Sequence, residues 1–118
     1  MGIKSLIIDD EEEIRMMLKI ILKKEGLEVD AANSLLKARI LLKKNKYELL
    51  FLDLNLPDGT GFELLEEINT QGRKIDTVII SAFDGWTEKN RAKELGAKAF
   101  VGKPFSKKGI LDIISELN

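Results

Sequence analysis

Cysteine and histidine are both absent from the 118 residues, and each absence removes a class of chemistry. Without cysteine there is no disulfide framework, no thiol nucleophile and none of the common zinc sites. Without histidine the usual neutral-pH acid/base, the base of a nucleophilic triad and the favoured transition-metal ligand are gone. Long hydrophobic runs are also missing: apolar stretches reach only about four residues, against roughly twenty for a bilayer span. No signal peptide is legible, because Asp9 and Asp10 interrupt the first apolar stretch. Nineteen basic residues against twenty acidic ones leave a net charge of −1, which directs the chain to neither nucleic acid nor an anionic membrane. A helix-turn-helix segment, a basic stripe and an aromatic stacking surface are all lacking. These absences suggest a cytoplasmic setting, with chemistry confined to carboxylates, Lys, Ser/Thr and a hard cation.

What is present describes one ordinary globular unit. Apolar residues make up 44% and charged residues 33%, and the length suits a single domain over 1–118. No linker, repeat or low-complexity segment interrupts it. Leu6-Ile7-Ile8 reads as a buried strand that stops at five consecutive acids, Asp9 to Glu13, and early acids suit a helix N-terminus. Ile14, Met17, Leu18, Ile21 and Leu22 follow at helical spacing, with Gly26 as the stop. Leu27, Val29 and Ala31 alternate with acids, as in a half-exposed edge strand. Asn33 or Ser34 caps a helix to about Lys44, and Tyr47 to Leu52 is the third strand, ended by Asp53. The turn-rich stretch Asn55 to Gly61 leads to a helix carrying Phe62, Leu64, Leu65 and Ile68. Thr77 to Ile80 is the fourth strand, closed by Ser81. A helix from about Thr87 to Leu95 precedes a fifth strand, Ala97 to Val101, and Ser106 caps the last helix. Five βα units predict an α/β fold: a doubly wound, five-stranded parallel sheet with helices on both faces. The nearly all-apolar third and fourth strands belong at its centre.

In such sheets ligands sit beyond the carboxyl ends of the strands, near the switch point. Asp9 and Asp10 follow the first strand, Asp53 the third, Ser81 the fourth and Lys103 the fifth, so all the candidate chemistry lies on one rim. If the first and third strands are neighbours, three carboxylates converge, which raises their pKa values or demands a cation. With no His or Cys available, an oxygen-only site suits Mg²⁺. Capping of the first helix by Asp9 or Asp10 is the plain alternative, but it gives Asp53 no role.

The chain resembles a response-regulator receiver domain of bacterial two-component signalling. The matching segments are Ile7-Ile8-Asp9-Asp10-Glu11, Phe51 through Gly61, Ile79-Ile80-Ser81-Ala82 and Gly96 through Phe105, in order and at family-typical spacing. The resemblance implies the flavodoxin-like strand order 2-1-3-4-5. It implies Asp53 as the phosphoacceptor, taking a phosphoryl group from a phosphohistidine of a sensor histidine kinase or phosphotransfer protein. It makes Asp9, Asp10, Asp53 and the backbone carbonyl of Asn55 the Mg²⁺ ligands. Lys103 then pairs with the phosphoryl oxygens, Ser81 hydrogen-bonds one of them after transfer, and Phe100 takes the aromatic switch position. Pro104 matches a cis proline. Taken alone, Ser81 reads equally as a cap and Phe100 as ordinary packing.

The same resemblance makes Asn55 and Phe83 the positions that tune phosphate lifetime. An apolar ring at Phe83 cannot orient a water, which predicts slow self-dephosphorylation. Ile14, Met17, Pro104 and Phe105 match the patch where the phosphoryl donor docks, and Met16 and Ile20 form another exposed apolar pair. Trp86 reads as part of a signalling face or as a partly buried anchor. The resemblance implies a stand-alone receiver or the receiver of a longer regulator, as a monomer or a phosphorylation-dependent dimer. A haloacid-dehalogenase-type phosphatase needs a second Asp where Asn55 stands, and an amide cannot shuttle the proton. A flavodoxin-like cofactor binder needs phosphate donors where this chain has acids. A binding-only receiver is the remaining alternative.

Overall fold

Five parallel strands, each followed by a helix, account for the two alternating periodicities. In the computed structural model, which describes residues 3–117, the elements run β1 (Lys4–Ile8), α1 (Glu12–Lys24), β2 (Glu28–Ala32), α2 (Leu35–Lys44), β3 (Leu49–Asp53), β4 (Asn55–Leu56), β5 (Gly59–Thr60), α3 (Gly61–Thr70), β6 (Asp76–Ser81), α4 (Trp86–Glu94), β7 (Ala99–Gly102) and α5 (Lys107–Leu117). The sheet order is β2-β1-β3-β6-β7, parallel throughout. With β6 and β7 as the fourth and fifth strands of the sheet, this is the expected 2-1-3-4-5 order.

Alternation along each strand divides the core into two layers. Leu6 and Ile8 of β1, Leu50 and Leu52 of β3 and Ile79 of β6 pack with α2, α3 and α4. Ile7, Phe51, Val78 and Ile80 point the other way, onto α1 and α5. Residues of β3 are buried along its whole length, as a strand covered on both faces must be. Each large apolar side chain so buried contributes about 1.5–3 kcal/mol. Among the described residues no helix is long and apolar enough to cross a membrane.

Several boundaries differ from the sequence reading. The third strand begins at Leu49 rather than Tyr47 and includes Asp53; the buried Tyr47 instead donates its hydroxyl to Asp30 Oδ2 at 2.6 Å. The fifth strand begins two residues late and runs through Gly102, and α4 starts at Trp86. The stretch after Asp53, read as a turn, folds into the small antiparallel hairpin of β4 and β5. Asp58, at its tip, accepts the backbone N–H groups of Leu35 and Leu36, each at 2.9 Å. With Ser34 Oγ accepting from Lys37 N–H, α2 is capped from its own chain and from the hairpin together.

α3 starts one residue earlier than its first apolar residue suggests. Thr60 and Glu63 form a reciprocal capping box, the pattern S/T-x-x-E that marks a helix start. Gly61 is buried there, and a Cβ on it would run into the backbone carbonyl of Asp53 and Leu52 Cγ. Only glycine lets the hairpin return this close to the end of β3.

Candidate functional site

The sheet register brings the strand ends together. Ile8 of β1 lies beside Leu52 of β3, Asp53 beside Ile80 of β6, and Ser81 beside Gly102 of β7. The residues that follow therefore meet on one rim, at the point where the chain switches from one side of β1 to the other. Asp9 is fully buried and Asp53 is 3% exposed. Carboxylate oxygens of Asp9, Asp10 and Asp53 lie within 4.8 Å of one another.

Lys103 enters this acidic group from the end of β7. Its Nζ is 2.9 Å from Asp9 Oδ2, 3.2 Å from Asp53 Oδ2 and 3.2 Å from Glu11 Oε1. Asp9 Oδ2 is buried, and the Lys103 ammonium is its one close polar neighbour. Backbone groups hold the rest in place. Glu11 N–H donates to Asp9 Oδ1, Asn55 N–H to Asp53 Oδ1 and Lys103 N–H to the Ser81 carbonyl. Arg15 Nη1 donates to the Asp9 carbonyl at 2.9 Å. The first helix has Glu11 at its N-cap with no side-chain cap bond, so neither Asp9 nor Asp10 is used as its cap.

Burial and mutual repulsion set the protonation behaviour. Desolvation pushes the Asp53 pKa above the usual aspartate value, the Asp9 charge adds to this, and Lys103 opposes it. Asp9 is also raised, first by desolvation, with Lys103 and the Glu11 N–H opposing. Burial works against the Lys103 ammonium, but Asp9, Asp53 and Glu11 outweigh it and hold its pKa above the ordinary lysine range. Three carboxylates against one lysine leave an excess of negative charge. That excess and an all-oxygen donor set fit a small hard cation.

The remaining candidates surround this centre. Ser81 is fully buried, and its Oγ accepts from Phe83 N–H at 2.9 Å. The side chain of Asn55 is exposed, and Phe83 is 61% exposed. These two line a cleft of about 210 Å³ with Leu54, Thr60, Phe62 and Glu88. Phe100 is half-buried against the α2–α3–α4 layer. The Lys103–Pro104 peptide is cis. Of the four residues expected to receive a phosphoryl donor, Met17 and Pro104 are exposed, whereas Ile14 and Phe105 are half-buried and packed on the α1–α5 layer. Trp86 is 78% exposed, which excludes the buried-anchor alternative.

Sequence reasoning assigned no task to Glu11 as a partner of Lys103, to Arg15 as a brace on Asp9, or to Asp58 as a cap. These contacts join residues whose pairing no local pattern announces. The capping box at Thr60 and Glu63 was legible and would have put the α3 start at Gly61.

Comparison with known proteins places this arrangement. The response regulator receiver domain family matches residues 5–115. The chain is 34% identical over 101 residues to response regulator protein PilR of Pseudomonas aeruginosa, covering 86% of this chain and 23% of that protein. It is 31% identical over 116 residues to sporulation initiation phosphotransferase F of Bacillus subtilis, covering 98% of this chain and 94% of that one. The non-phosphorylated HemR receiver domain of Leptospira biflexa superposes with a TM-score of 0.92 at 33% identity, covering 98% and 94% of the two chains. The chain thus spans less than a quarter of one curated relative and nearly all of another. With a family match over nearly its whole length, the five-stranded order 2-1-3-4-5 and an acid-and-lysine rim at the switch point, this chain belongs to the response regulator receiver domain family.

Proposed function

We propose that the chain, read as one receiver domain over 1–118, is a phosphoacceptor switch of a two-component or phosphorelay system, with Asp53 as the acceptor. The observation that carries this reading is Asp53 itself: a buried carboxylate at the end of the central strand, flanked by Asp9 and with Lys103 Nζ at 3.2 Å. One Asp53 oxygen attacks phosphorus as the P–N bond to the donor's phosphohistidine breaks, and the imidazole leaves with the bonding pair. The product is an acyl phosphate, which water later hydrolyses. Such a transfer needs alignment and charge neutralisation more than covalent help.

Each neighbour then has a task. Lys103 pairs with a phosphoryl oxygen, and Ser81 turns its hydroxyl from Phe83 N–H toward another. Phe100 follows Ser81 and repacks. Asp9, Asp10, Asp53 and the Asn55 carbonyl would hold Mg²⁺. When bound, that ion supplies positive charge against the phosphoryl oxygens. Asn55 and Phe83 set how readily water reaches the acyl phosphate. Ile14, Met17, Pro104 and Phe105 receive the histidine kinase or phosphotransfer protein. The chain turns over no external substrate, works in the cytoplasm, contacts neither nucleic acid nor membrane, and passes its state to an output domain or protein, as a monomer or a phosphorylation-dependent dimer.

Borohydride trapping tests the assignment. After phosphorylation, reduction of an acyl phosphate converts Asp53 to homoserine, and peptide mass mapping locates it. Homoserine at position 53 supports the reading. Conversion at another carboxylate, or at none in a chain that carries phosphate, overturns it.

A further inference from the structure

Most of the exposed large apolar side chains lie on just two helices. Met16 is 56% exposed, Met17 43% and Ile20 57% on α1, while Leu36 is 62% and Ile40 46% exposed on α2; Phe83 and Trp86 are the others among the described residues. The core layers place α1 and α2 on opposite faces of the sheet, so these two stripes cannot cover each other within one molecule. Each is an i,i+4 pair on the outward side of its helix.

The charges beside the two stripes differ. α1 opens with Glu12 and Glu13 one turn before Met16. α2 has no acidic residue and ends in Lys43 and Lys44, one turn past Ile40. Laid antiparallel, the helices match in a single register: Glu12 and Glu13 oppose Lys44 and Lys43, Met16 opposes Ile40, and Ile20 opposes Leu36. Laid parallel, Lys43 and Lys44 would instead face Lys23 and Lys24. In the antiparallel register Lys19 and Lys37 come level but sit off the stripes, where water reaches both. Leu36 and Ile40 also border a cleft of about 350 Å³ against α3 that includes Leu64 and Ile68. An unbranched Met16 side chain suits such an opening.

We propose that α1 of one copy docks antiparallel on α2 of a second copy, a head-to-tail contact that leaves a free α1 and a free α2 at the ends. Because the two faces differ, the contact does not close on itself as a two-fold dimer does, and it propagates into short chains. Two helices form a small interface, so the association is weak and grows with concentration. It does not depend on the phosphoacceptor reading, and phosphorylation at Asp53 is scored separately.

Sedimentation equilibrium on the whole chain between about 10 µM and about 1 mM tests it, within the range of weak association. The expected result is an average mass that rises beyond the dimer with concentration and falls with added salt. Ile20→Glu and Leu36→Glu, each with unchanged circular dichroism, should each be monomeric. Their equimolar mixture should form a 1:1 dimer and stop there, because one variant keeps α1 and the other α2. A monomeric wild type at the highest concentration overturns the proposal, as does a mixture that stays monomeric. Self-association untouched by both substitutions, or binding of α2 to anionic vesicles in place of a second copy, overturns it too.

Discussion

Lys103 Nζ lies 3.2 Å from Asp53 Oδ2 and 2.9 Å from Asp9 Oδ2, so one lysine just past β7 bridges the carboxylate that ends β3 and the one that follows β1. Its side chain is 10% exposed, and those of Asp9 and Asp53 are 0% and 5%. At such depth, removing the cation leaves two buried acids facing each other. Lys103→Ala should lower stability by about 1–3 kcal/mol at neutral pH, read from urea denaturation. The contribution is present at neutral pH and fades as pH rises through the elevated Lys103 pKa, and also in acid once Asp9 and Asp53 are protonated. The same substitution should slow phosphoryl acceptance by about 100-fold. An unchanged denaturation midpoint would mean the bridge carries no stability.

Asp53 behaves in the opposite sense. Its raised pKa marks a carboxylate whose charge is disfavoured by the fold, mainly by desolvation and then by Asp9. Asp53→Asn should therefore stabilise the domain by about 1 kcal/mol at neutral pH, a stability held back by the site. The folded state holds the Asp53 proton at higher pH than the unfolded chain does. Wild-type stability therefore rises as pH falls through the elevated pKa toward the ordinary aspartate value, and the advantage of the variant shrinks there. Melting curves of both proteins across that range check it; an advantage that grows on acidification contradicts it.

Asp58 tests a purely structural link. Accepting the Leu35 and Leu36 N–H groups holds its pKa below the usual aspartate value. Asp58→Ala should loosen the first turn of α2, seen as faster amide exchange at Leu35 and Leu36. The stabilisation by Asp58 is present above the ordinary aspartate value and lost as pH falls through the depressed pKa. Wild type and variant should then converge in acid. Equal exchange rates at neutral pH would remove the hairpin from the account of α2.

Phe83 is exposed and lines the cleft beside Asn55. A hydrocarbon ring cannot position a water, so Phe83→Asn should shorten the life of the phosphorylated state several-fold. Decay of the phosphorylated mass peak in buffer gives the rate, and an unchanged half-life contradicts this role.

The fold was legible because its signal is repetitive. Apolar runs such as Leu50-Phe51-Leu52, each ended by a polar residue, marked the strands, and the acids Asp9, Asp10 and Asp53 with Lys103 stood at strand ends where the topology gathers them. Element edges were less legible. Asp53 extends its strand because β6 continues the ladder beside it, a tertiary effect that no local composition carries. Asp58 on α2, Arg73 Nη2 on the Leu42 carbonyl and Glu11 on Lys103 join residues far apart in the chain. Pairings of this kind appear only once the layers are assembled.

The central claim is that Asp53 accepts a phosphoryl group with the help of a divalent cation held by Asp9 and Asp10. Intact-mass spectrometry after incubation with a small acyl phosphate, with and without Mg²⁺, tests it most directly, with Asp53→Asn run in parallel. The account predicts one phosphoryl adduct on the wild type, dependent on Mg²⁺ and absent from the variant. An adduct of equal yield on Asp53→Asn, or one indifferent to Mg²⁺, would contradict it.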